Sequence, residues 1–93
     1  MATIADWRDQ IDAIDRELVA LLSRRCGCAR EIGRLKRALA LPVYEPNREA
    51  IVLANITAAN HALGGSLDDA ALRRLFERII DEMRALQKQE PQP

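Results

Sequence analysis

Residues 21–36, "LLSRRCGCAREIGRLK", read as helix, and the extent of that helix decides the fold. Between Thr3 and Leu39 there is no proline, and the only glycines are Gly27 and Gly33. Ile4, Ile11, Leu18, Ile32 and Leu39 recur at heptad spacing, and Trp7, Ile14, Leu21, Cys28 and Leu35 form a companion series. A stripe sustained in this way marks a long helix that packs along another at a shallow angle. Such a helix is about 50 Å long, well beyond the diameter of a lone compact chain of this size. It therefore projects from its own domain, and a second chain is expected to cover the rest of the stripe.

Outward from this segment, "ALPVYEPNRE" (residues 40–49) breaks the pattern. Pro42 and Pro46 rule out continuous helix, and Pro46 suits the first turn of a new one with Glu45 near its N-cap. The second helix is expected from about Pro46 to His61, burying Ile51, Leu53 or Ala54, and Ile56. "LGGS" (63–66) supplies a glycine stop, and Ser66 with Asp69 resembles a capping arrangement. A third helix is expected over about Leu67–Gln89, burying Leu72, Leu75, Phe76, Ile79, Ile80, Met83 and Leu86. The fold class is all-α: three helices, long, medium and long, in one domain over residues 1–90, with 91–93 as a tail.

Composition agrees. Aromatic residues make up only 3% of the 93-residue chain, too few for an ordinary sheet. Fourteen basic and fourteen acidic residues cancel, so no overall field attracts nucleic acid or anionic lipid. No apolar run reaches the length of a membrane span, and the N-terminus has no basic-then-apolar signal pattern, so a cytoplasmic location is expected. Cys26 and Cys28, two positions apart on a helix, point in different directions and read as two small thiols rather than a metal clamp or a disulfide.

The heptad series contains an anomaly. Every member of the set 4, 11, 18, 25, 32, 39 is apolar except Arg25. Lys36, eleven residues on, returns to nearly the same face about 16 Å along. On the third helix Gln87 borders the apolar stripe, four residues after Met83, and Arg48 lies on the second helix. Either the long side chains snorkel to water with buried stems, or the bundle interior holds a small anion. Guanidinium groups suit carboxylates because their planar fork binds them in two places. Arg8 lies about 42 Å from Lys36 along an unbroken helix. It is either a solvated arginine near the helix start or part of a partner chain's site, in which case a dimer would hold two composite sites.

Four stretches, "WRDQIDAIDRELVALLSRR", "AREIGRLK", "PVYEPNREAIVL" and "LRRLFERIIDEMRALQ", together resemble the all-helical (AroQ-type) chorismate mutases in order and spacing over about 80 residues. The resemblance implies an intertwined helical-bundle homodimer. It also implies an isomerase that catalyses the Claisen rearrangement of chorismate to prephenate in aromatic amino acid biosynthesis. Carried over by position, Arg25 and the partner's Arg8 hold the two carboxylates of the substrate. Lys36 sits on the ether oxygen and a nearby carboxylate, Gln87 donates to the ether oxygen, and Arg48 supports the carboxylate cluster. Glu49, with the Glu45 region, takes the ring hydroxyl. Two positions depart from the family pattern. Glu45 replaces an aspartate, and Met83 stands where a small hydroxyl residue is often found, which removes a hydrogen bond to a carboxylate.

The implied reaction is unimolecular, so it requires no nucleophile, general base, metal or cofactor. His61, the single histidine, reads as a surface residue. Other readings of the same pattern are an isochorismate-pyruvate lyase, an aminodeoxychorismate mutase of the same fold, or a non-catalytic dimerisation or regulatory domain. "PVYEPNRE" resembles the mutase more than the lyase. A purely structural bundle would have no use for Arg25 at a core position.

Overall fold

The chain becomes helical at Thr3, whose hydroxyl accepts from the Asp6 amide (3.1 Å) while the Asp6 carboxylate accepts from the Thr3 amide (2.9 Å). This reciprocal capping satisfies two of the free N–H groups at the helix start. The computed structural model describes residues 1–89. It contains α1 (Ile4–Leu39), α2 (Pro46–Leu63) and α3 (Asp69–Lys88), with no strand among the described residues. The tail assigned to 91–93 lies outside them.

Each boundary has a local cause. Ala40 closes α1 in the left-handed region (φ 54°), the one non-glycine with positive φ among the described residues. Pro46 occupies the first turn of α2, and Gly64 (φ 61°) ends it, so α2 runs two residues beyond the expected His61. The start of α3 differs from expectation. Asp68, not Ser66, is the N-cap, accepting from the Ala71 amide at 3.3 Å. Asp69 instead reaches back to α2, where its carboxylate lies 2.7 Å from His61 Nε2. His61 is exposed, as expected, but it has this acidic partner.

α3 packs against both α1 and α2, whereas α1 and α2 make no close backbone approach to each other. The α1–α3 crossing is tight because Gly33 has no side chain. A Cβ there would lie 2.8 Å from Gln87 Cα. Contact is confined to the C-terminal half of α1, where Ala29, Gly33 and Lys36 are buried; Met1 through Arg24 are all exposed. The molecule is accordingly elongated, with a radius of gyration of 16.6 Å, against about 12 Å for a compact chain of this length.

Among the described residues the buried apolar core of the single chain consists of Ala29, Ile80 and Met83. Trp7, Ile11, Ile14, Leu18 and Leu21, the heptad positions of the projecting half, are each at least 50% exposed. That unbroken apolar face far exceeds the scattered apolar exposure of ordinary monomers. Two expected core residues are also exposed, Ile51 on α2 and Leu75 on α3. Leu53 and Ile56 are half-buried, as is Val52, while Ala54 faces solvent. The wide apolar stripe of α3 meets only two thin helix faces, so Leu72, Phe76, Ile79 and Leu86 are half-buried rather than enclosed. Among the described residues no helix is long and apolar enough to cross a membrane.

Candidate active site

Among the described residues Lys36 is the one charged residue buried in the interior, 7% exposed. Its ammonium has three hydrogens and finds three acceptors: the Val43 carbonyl at 2.8 Å, Gln87 Oε1 at 2.8 Å and Glu45 Oε1 at 2.6 Å. The connector between α1 and α2 supplies two of these, and α3 the third. Glu45, at the N-cap position of α2, makes no capping hydrogen bond with its side chain and gives its carboxylate to Lys36 instead. Because Lys36 holds Gln87 Oε1, the amide NH2 of Gln87, its donor end, is turned the other way.

Around this centre lies an open pocket of about 370 Å³, within the usual range for small-molecule sites. Four cationic side chains line it, Arg25, Lys36, Arg48 and Arg84, with two carboxylates, Glu45 and Glu49. Two positive charges are thus unbalanced. Each carboxylate is committed: Glu45 to Lys36, and Glu49 to Arg84 through Nε (3.0 Å) and Nη2 (2.5 Å). Arg25 is half-buried, Arg48 is exposed at the rim, and neither has an ion-pair partner among the described residues. The snorkelling alternative therefore fails for Lys36, which is enclosed, and Arg25 faces the same pocket.

Met83 is buried in the wall, an apolar surface of the kind that leaves any nearby charge with fewer competing waters. Of the expected site residues, Arg25, Lys36, Glu45, Arg48, Glu49, Met83 and Gln87 converge on this pocket. Arg8 does not. It is exposed on the projecting half of α1, away from the residues that line the pocket.

Arg84 was missed by sequence reasoning. The signal was present, since Arg84 lies four residues after Ile80 and three before Gln87, on one helical face. Its guanidinium also stacks over the Tyr44 ring, 5.0 Å from the centroid. The hydrogen bonds it donates to Glu49 hold its pKa above the already high ordinary value, outweighing the opposing effect of burial. Arg37 was also unforeseen: it donates to the Gln87 and Gln89 carbonyls (both 3.0 Å), fastening the end of α3 to α1.

Fold and pocket together define a class: an all-helical protein with a cation-lined pocket and a long helix whose apolar face is exposed. Residues 7–88 match the family described as chorismate mutase type II, and the chain belongs to that family. It is 39% identical to the T-protein of Enterobacter agglomerans over 78 residues, 82% of this chain and 21% of that one. It is 28% identical to the chorismate mutase of Methanocaldococcus jannaschii over 88 residues, 92% of this chain and 85% of that one. A solved structure of chorismate mutase from Thermus thermophilus superimposes with a TM-score of 0.88 at 38% identity, covering 96% of this chain and 98% of that one. The chain spans only 21% to 25% of the length of the first curated relatives it matches.

Proposed function

We propose that residues 1–90 form a chorismate mutase domain that rearranges chorismate to prephenate as an intertwined homodimer, with a cytoplasmic location. The observation that carries this reading is the charge pattern of the pocket. Four cations and two already committed carboxylates suit a ligand with two negative charges. Membership of the chorismate mutase type II family supports the choice of that ligand.

In this reading Arg25 binds one substrate carboxylate through its planar fork, and Arg48 adds positive charge beside it. Arg8 of the partner binds the other, since the projecting half of α1 places Arg8 far from its own pocket. The exposed heptad face is the surface along which the second chain packs. A dimer then contains two equivalent sites, each built from both chains.

The reaction breaks the ether C–O bond as a new C–C bond forms within one molecule. Holding the two ends of the substrate in reach removes most of the entropic barrier. Negative charge accumulates on the ether oxygen as its bond breaks. Lys36 and the free amide of Gln87 donate to that oxygen, in a site where their orientation is fixed beforehand. Lys36 gains its free donor by releasing Glu45, the most exposed of its three partners. Glu49 accepts from the ring hydroxyl, and Met83 offers shape but no hydrogen bond. No step calls on a metal or cofactor.

The test is product identification. Purified protein is incubated separately with chorismate and with isochorismate, and products are separated by chromatography. Prephenate from chorismate is the expected result. Salicylate and pyruvate from isochorismate, with chorismate untouched, would overturn it.

A further inference from the structure

Both carboxylates that face the pocket are already matched to cations, but not equally firmly. Glu45 is 48% exposed on its side chain and has the single contact to Lys36. Glu49 is held at both oxygens by Arg84, and each of those side chains is only 25% exposed. The guanidinium is fixed on further sides, by the Tyr44 ring and by Asp81 Oδ1 at 3.3 Å from Nη1. Releasing Glu49 would break two charge-assisted hydrogen bonds at once. The pocket can therefore receive anionic groups at Arg25 and Arg48, yet offers no unpaired carboxylate to a cationic one.

We propose that Arg84 is a specificity-determining residue: by saturating Glu49, it makes the pocket reject a ligand that carries an ammonium where chorismate carries its ring hydroxyl. The inference rests on the functional reading above. A hydroxyl is neutral, and it can donate to a Glu49 oxygen that Arg84 already shares, because each carboxylate oxygen has more than one acceptor site. An ammonium at the same place meets a neutralised carboxylate and the Arg84 guanidinium that neutralises it. Like charges juxtaposed in a binding site are penalised. Discrimination here comes from repulsion of the wrong group rather than from extra attraction to the right one.

The experiment compares kcat/KM for chorismate and for its analogue with an amine in place of the ring hydroxyl. The proteins are the wild type, Arg84→Met, Arg84→Lys and the double variant Arg84→Met with Glu49→Gln. The wild type should favour the hydroxyl compound by more than about tenfold. Arg84→Met should narrow that preference by about tenfold or more, chiefly through a lower KM for the amine, because Glu49 becomes an unpaired carboxylate. Arg84→Lys, which keeps the charge, should retain the preference. The double variant should show a preference between those of the wild type and Arg84→Met, since the freed carboxylate is gone but so is the repelling guanidinium. Should Arg84→Met fail to fold by circular dichroism, Arg84→Gln carries the same comparison. An unchanged preference in the folded Arg84 variant, with chorismate still turned over, would overturn the inference alone. No turnover of either compound by the wild type would overturn the functional reading and this inference with it.

Discussion

Gly33 and Gln87 meet at the crossing of α1 and α3. A Cβ at residue 33 would approach Gln87 Cα to 2.8 Å and the Gln87 carbonyl oxygen to 3.0 Å. That closeness is what brings the Gln87 carboxamide to Lys36. One methyl group should therefore separate structure and function together. Gly33→Ala should lose about 1–3 kcal/mol of stability, because backbone rather than a flexible side chain must yield. It should also lower kcat, because Gln87 moves from Lys36. Urea unfolding and steady-state kinetics check both, and a variant normal in each would contradict the packing account.

Lys36 and Arg25 test the electrostatic account. Replacing either by alanine should lower turnover by at least about a hundredfold, roughly 3 kcal/mol of lost transition-state stabilisation. Circular dichroism should show the helices intact, since neither side chain belongs to the apolar core. Near-normal kinetics in either variant would break the assignment of these residues.

Gln87 carries a pH prediction. Its amide donates at any pH, so wild-type activity should persist through neutrality. In Gln87→Glu the new carboxyl must be protonated before it can donate, so kcat/KM should rise as pH falls from about 8 towards 5. A pH profile that matches the wild type would remove Gln87 from the reaction.

Asp69 ties the starts and ends of two helices through His61 and Asn60 (3.2 Å), and the His61 hydrogen bond is the larger cause of its lowered pKa. A carboxyl depressed below its ordinary 3.8 stabilises the fold above that pH, and the contribution fades as pH falls through the lower folded value. The gap in urea midpoint between wild type and Asp69→Asn should therefore be open at about pH 5 and shrink on acidification towards about pH 2. A gap that stays constant over that range would contradict the role of this pair.

Much of this was legible in sequence because the governing rules are local or periodic. The absence of proline from Thr3 to Leu39 set the length of α1, and Pro46 set the start of α2. Arg25 was visible as a charge in a heptad position, and Lys36 and Gln87 followed from helical spacing. The rest depended on tertiary geometry. Asp68 rather than Ser66 caps α3, and Asp69 pairs with His61, a contact between separate helices. The Val43 carbonyl that holds Lys36 is a backbone group, without side-chain identity to read. Arg84 was passed over because a cation on an amphipathic helix reads as solvated until Glu49 and Tyr44 are seen beside it. The exposure of Ile51 and Leu75 in one chain could not be inferred from apolar spacing, which marks a face for burial without saying which chain covers it.

The central claim is that each site is assembled from two chains, and a mixed dimer tests it most directly. Arg8→Ala and Lys36→Ala should each be nearly inactive alone. Co-expressed with different tags and purified as the heterodimer, they should recover about half the wild-type rate per dimer, because one of the two sites then has both residues intact. A heterodimer as inactive as its parents, or an Arg8→Ala homodimer with full activity, would contradict the account.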